Sequence, residues 1–167
     1  LLRRGGFDGE VLGVLGPKVV TCTYSWIHAA EHGLELPLTS LWISVMLVCP
    51  QGMVVSRRED VGKGMISVTA QESAEAGDDA DGWAAGARRA IQEEVGDIPY
   101  RLSTPIAYRI GAADGYSKMG LGFSAVTETN FIDILIAGAA CRAREDQSLL
   151  LYNPSMKTTH RQMIWLG

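Results

Sequence analysis

Residues 41–59 read LWISVMLVCPQGMVVSRRE, two β-rich apolar runs around a turn that carries Pro50 and Gly52, and this pattern predicts a β-hairpin. The first run is apolar on both faces, as a strand central to a sheet is. Between 82 and 95 the period changes. Ala84, Ala87, Ile91 and Val95 follow one another by three or four residues, so one apolar stripe runs along an expected amphipathic helix, with Asp81 as its N-cap and Gly96 at its end. KVVTCTYSWI (18–27) alternates as a strand does, and HAAEHGLELPLT after it reads as a loop with a short helical turn. A short strand is expected around Met65–Thr69, before a polar, acidic loop. STPIAYRIG, LGFSAVTET, NFIDILIAGAA and SLLLYNP read as further strands. Glycines and Pro17 interrupt every period in residues 1–40. Residues 1–39 are therefore expected to be an N-terminal extension, able to contribute a strand, ahead of a domain over 40–167. Many strands with one strong central helix predict a mixed α+β sandwich.

Charge narrows the partners. A net charge of -4 and a pI near 5.3 give no basic footprint for nucleic acid, so direct nucleic-acid binding is not expected. A small molecule or a protein fits better. Cys22, Cys49 and Cys141 are far apart, odd in number and without CxxC spacing, which supports neither a disulfide framework nor a zinc site and agrees with a reducing cytoplasm. They read as small buried hydrophobes. The apolar stretches LWISVMLVCP and FIDILIAGAAC fall short of the roughly 20 residues that cross a bilayer, so no membrane span is expected. The chain opens LLRRGGFDG without a methionine, which reads as a piece with something upstream.

The stretch ARRAIQEEVGD (87–97) holds the most chemistry. Glu93 and Glu94 stand in the last turn of the expected helix, where the macrodipole disfavours negative charge by about 0.3–1 kcal/mol. Solvation beside Arg88 and Arg89 is one account of the pair. Metal binding is the other: Mg²⁺ takes one or two carboxylates together with waters and substrate phosphates. Both carboxylates are expected to point away from the apolar stripe or along its edge, and to converge outside the helix.

RAIQEEVGD (89–97) resembles the core of the Nudix box, G-x5-E-x7-R-E-U-x-E-E-x-G-U with U apolar, matching at Arg89, Ile91, Glu93, Glu94 and Gly96. The hairpin ending in VVSRRE, the GKGMISV strand and the acidic loop before the helix follow in the order of the Nudix fold. SVTAQESAE is similar to the S-x-x-E branch that includes isopentenyl diphosphate isomerases. Four positions depart from the box: Ala90 replaces a glutamate, Glu75 the opening glycine, Asp81 the next glutamate and Asp97 the final apolar residue. The resemblance implies an α/β/α sandwich with a mixed sheet and one central loop–helix–loop. It also implies that Glu93 and Glu94 bind Mg²⁺ or Mn²⁺ and that Arg89 orients a glutamate. Ala90 cannot ligate, so Glu72 or Asp81 would have to supply the missing oxygen.

Arg57 and Arg58 at a strand end match phosphate oxygens and are candidates for gripping a diphosphate, though alternation lets only one face the sheet surface where substrate would lie. Asp114, Glu128 and Glu145 read as surface acids, and His28, His32 and His160 lack ligand spacing. Tyr24, Trp26, Trp42 and Trp83 are available to stack on a base but read first as core. No P-loop, Rossmann or nucleophile-elbow motif occurs. Two functions follow. One is Mg²⁺-dependent hydrolysis of a diphosphate linkage in a nucleoside diphosphate derivative, by a chain expected to be cytoplasmic and able to form a homodimer. The other is a degenerate module of the same fold that binds a nucleotide-like ligand or a protein partner without cleaving it.

Overall fold

The computed structural model describes residues 10–15, 18–31, 38–59, 63–111, 117–141 and 147–153. Its organising strand is β3 (Leu38–Cys49). On one edge, Leu41–Val48 pair in parallel with β9 (Ser117–Val126). On the other edge three strands dock in turn, all antiparallel: β1 (Glu10–Leu15), β6 (Ala70–Ser73) and β4 (Gly52–Arg58). Ala74 joins the first two, accepting from Leu12 N and donating to Leu41 O. β2 (Lys18–Thr23) pairs with β1, β5 (Ile66–Ser67) and β10 (Gln147–Tyr152) with β4, and β7 (Arg101–Leu102) and β8 (Ile106–Gly111) with β9.

β4 stays beside β3 only over its first residues, and Thr69 fills the parting. Its hydroxyl accepts from Leu47 N at 2.7 Å and donates to Val54 O at 2.5 Å, at a position with no exposed surface. One side chain thereby satisfies two backbone groups that the separating strands would otherwise bury unpaired.

Alternation along β3 sorts the layers. Leu41, Ile43, Val45, Leu47 and Cys49 are all buried, and the buried Ala87, Ala90 and Ile91 of α2 (Ala84–Glu94) share their core, with Phe131 and Ile134 of α3 (Phe131–Ala137). Gly86 allows the close approach of α2, since a methyl there would collide with Ile43 Cδ1 and stand 2.7 Å from Asp78 Oδ2. On the other face lies α1 (Tyr24–Glu31), whose Ile27 reaches the open side of Gly13. The fold is α+β, a mixed sheet between helices.

Several expectations change. NFIDILIAGAA is a helix, not a strand: Asn130 Oδ1 accepts from Asp133 N, Gln51 Oε1 accepts from Phe131 N, and Phe131 and Ile134, three apart, face the core. Capping and period overrode the β-propensity of its isoleucines. The strand expected over 18–27 stops at Thr23, where α1 begins. The expected strand at 65–69 becomes β5 and β6, parted at Thr69. The N-cap of α2 is Trp83, in a left-handed conformation (φ 73), and Asp81 belongs to a 3-10 turn just before it. Gly96 ends α2 at φ 101, donating to Ile91 O, and any Cβ there would stand 2.6 Å from Ala137 O. The boundary expected at 39/40 falls inside β3, and β1 pairs with that strand.

Replacing Thr69 with Val keeps the volume and leaves Leu47 N and Val54 O unpaired in the core. The expected loss is about 2–3 kcal/mol. It should appear as a lower urea midpoint at unchanged slope.

Candidate functional site

Arg89 leaves α2 sideways and closes a fork on Asp78, Nη1 to Oδ1 at 2.9 Å and Nη2 to Oδ2 at 3.0 Å. Nη2 also donates to Ser73 O at 3.2 Å, and Nη1 stands 3.3 Å from Glu75 Oε2. The Asp78 side chain is 5% exposed and that of Arg89 24%. Asp78 is held from its own loop as well, because Oδ2 accepts from Glu75 N at 2.8 Å. Burial alone would lower the pKa of the guanidinium. The hydrogen bonds and charge of Asp78, with the charges of Glu75 and Glu72 further out, outweigh that and hold it above its ordinary value.

The two glutamates differ in burial. Glu94 continues the row of Gly86 and Ala90 at four-residue spacing, on the face turned to the sheet, and is only 6% exposed. Glu93, one residue or about 100° round the helix, faces solvent. Of the two positions expected for them, away from the apolar stripe or along its edge, Glu93 takes the first and Glu94 the second. Ala90 has no exposed surface, so a carbon side chain fills the place of the missing glutamate.

Asp81 sits at the other end of α2. Its Oδ1 accepts from Ala85 N at 2.9 Å and its Oδ2 from Arg88 Nη1 at 2.6 Å, and these bonds, Ala85 first, hold its pKa below the ordinary aspartate value. Glu93 lies eight residues beyond Ala85, about 12 Å along the axis, beyond sharing one cation. Glu72 stands opposite Ile43 in the register, so it belongs to the face that carries α2, and its charge is felt at Arg89.

Arg57 and Arg58 fall on opposite faces of β4. Arg57 donates through Nε and Nη2 to Glu59 Oε1 at 3.0 and 2.8 Å, and Ser148 donates to the same oxygen. Arg57 first, then Ser148, lowers the Glu59 pKa. Arg58 is exposed, on the face that it shares with Val54 and Ser56. Glu128 is exposed; Asp114, Glu145, His32 and His160 lie outside the described residues, and the side chain of His28 is not described. Cys49 is buried, whereas Cys22 and Cys141 are half-buried free thiols.

Asp78 and Glu75 are the acids that sequence reasoning did not assign. The run DDAD ahead of the helix was visible, but which of its carboxylates turns inward depends on the 3-10 turn that buries Asp78 alone. Among the described residues, no three His, Cys, Asp or Glu side chains come together as a group able to hold a metal ion. With Ala90 apolar, Glu94 turned inward and Asp81 engaged elsewhere, the donors present do not fit the three-glutamate centre of the Nudix box.

No protein-family model matches the chain, and no curated protein matches it. Eighteen chains of solved structures do. One is the crystal structure of Tm1382, described as "a putative Nudix hydrolase", at 12% identity and a TM-score of 0.53 over 88% of this chain and 76% of that one. The fold is therefore Nudix-like. None of the described helices is long and apolar enough to cross a membrane.

Asp78→Ala leaves Arg89 largely buried without its carboxylate. The expected loss is about 3 kcal/mol, with little response to added salt because the pair is sheltered. Asp81 behaves otherwise. Its lowered pKa means that its contribution is present above the ordinary aspartate range and is lost as pH falls through the folded value. The stability gap between wild type and Asp81→Ala should therefore close on acidification, as followed by thermal melts across pH.

Proposed function

We propose that this protein is a Nudix-fold binding module that holds a nucleotide-like diphosphate without metal-dependent hydrolysis. The observation behind this is the commitment of Arg89: its fork is closed on buried Asp78, with Glu75 beside it. The arginine that the resemblance assigns to orienting a glutamate is thereby used to tie the loop to the helix. Arg58 is the better placed of the two candidates for the diphosphate, because alternation puts it on the same sheet face as Val54, the face that carries α2. A guanidinium there offers phosphate oxygens a matching pair of donors.

A second reading is Mg²⁺- or Mn²⁺-dependent hydrolysis of a diphosphate linkage, with Glu93 and Glu94 as ligands. Glu72 favours it, since this acid shares the α2 face and its charge reaches Arg89, one helical turn before Glu93.

Calorimetry with a non-hydrolysable nucleoside diphosphate analogue, beside phosphate release from a panel of nucleoside diphosphate derivatives with Mg²⁺, separates the two. Binding without turnover is expected. Arg58→Ala should weaken binding roughly tenfold, the worth of one charge-assisted contact, and Arg57→Ala less. Turnover that needs metal and disappears in Glu94→Gln would put hydrolysis first, and no binding at all would remove both readings. Ala90→Glu is expected to lose stability rather than gain activity, because the new carboxylate enters a site with no exposed surface.

A further inference from the structure

β8 ends its side of the sheet: among the described strands it pairs with β9 alone. A strand so placed presents backbone N–H and C=O groups outward, and native sheets guard such an edge with charge, proline or a bulge. Here the guards flank the strand's first half. Pro105 precedes it, in a bulge that sets residues 103–105 against 123–124 of β9, and Arg109 carries the strand's one charge. Between them Ile106 is 74% exposed, more open than any other large apolar side chain among the described residues, and Ala107 is exposed beside it. Tyr108 supplies a matching shape. Its ring lies across Gly120 of β9, where a Cβ would collide with it, and its hydroxyl hydrogen-bonds with the buried Ser44 Oγ of β3 at 2.7 Å. The ring therefore leans inward, away from the outer edge, and leaves the space above its own strand position open.

We propose that β8 pairs antiparallel with β8 of a second copy, about a two-fold axis through Ala107, so that the sheet continues from one molecule into the next. Residues directly opposite in an antiparallel pair share a face, so the axis has to pass through a residue. An axis at Arg109 would set two guanidinium groups against each other, and one at Tyr108 would oppose two rings that both lean away. With the axis at Ala107, Ile106 of each copy enters the space that Tyr108 of the other leaves open. Ala107 meets Ala107, and Arg109 faces Pro105 rather than another charge. A self-complementary seam of this kind closes as a dimer. One strand pair buries less than the roughly 1,200 Å² of a standard interface, so the association is weak and depends on concentration. The seam is independent of α2 and of the diphosphate reading.

Sedimentation velocity of the full chain from about 10 µM to about 1 mM, the range a small interface calls for, tests the proposal beside Ala107→Glu and Ala107→Lys. Wild type is expected to shift from monomer to dimer across that range. Each variant alone sets like charges against each other on the axis and should weaken association by about fivefold. An equimolar mixture of the two should recover it, because glutamate then faces lysine. Position 107 is exposed, so both variants are expected to fold, with melting temperatures near that of wild type. A wild-type chain that stays monomeric throughout, a dimer unchanged in both variants, or a mixture that associates no better than either variant alone would overturn the proposal.

Discussion

A guanidinium drawn off a helix into a site with little water must meet a carboxylate there, and in this protein the meeting of Arg89 with Asp78 constrains most of what surrounds it. Asp78 is buried only because its loop winds into a 3-10 turn that Glu75 N closes from behind. The turn in turn sets Trp83 and the start of α2. Gly86 then has to be glycine, since α2 rests against Ile43 and Asp78 together. Such a pair adds less net stability than its short distances suggest, because both ions lose water. Its larger effect is on arrangement: removing either partner leaves the other stranded.

The same pair decides what the helix offers to a ligand. Once Arg89 is turned toward Asp78, the helix rotation that buries Gly86 and Ala90 also turns Glu94 inward and leaves Glu93 outside. A third carboxylate at position 90 would have shared Glu94's face, and alanine there makes the helix pack as a structural element. Binding of a phosphate-bearing ligand asks less of the chain than cleaving it does. In the proposed reading Arg58 serves that smaller demand.

Much of this was legible from residue patterns, and the failures have physical causes. The hairpin around Pro50–Gly52 and the helix ending at Gly96 follow from local period and turn chemistry, and both are present. FIDILIA was misread because isoleucine favours strands, although Asn130 and Asp133 carried a capping signal three residues apart. The parallel pairing of β3 with β9 joins segments about 78 residues apart, and nothing local announces it. At the site, alternation correctly placed Arg57 and Arg58 on opposite faces. The burial of Asp78 and of Glu94 depended on a 3-10 turn and a helix rotation that only the packed structure fixes.

The proposed binding module requires that the acids of α2 form no metal centre, and electron paramagnetic resonance of free Mn²⁺ is the direct test. Titrating the protein into dilute Mn²⁺, without nucleotide, should leave the free-ion signal essentially undiminished at protein concentrations that would saturate a two-glutamate site. A stoichiometric loss of that signal, reversed in both Glu93→Gln and Glu94→Gln, would contradict the account and return these residues to the role that the Nudix box gives them.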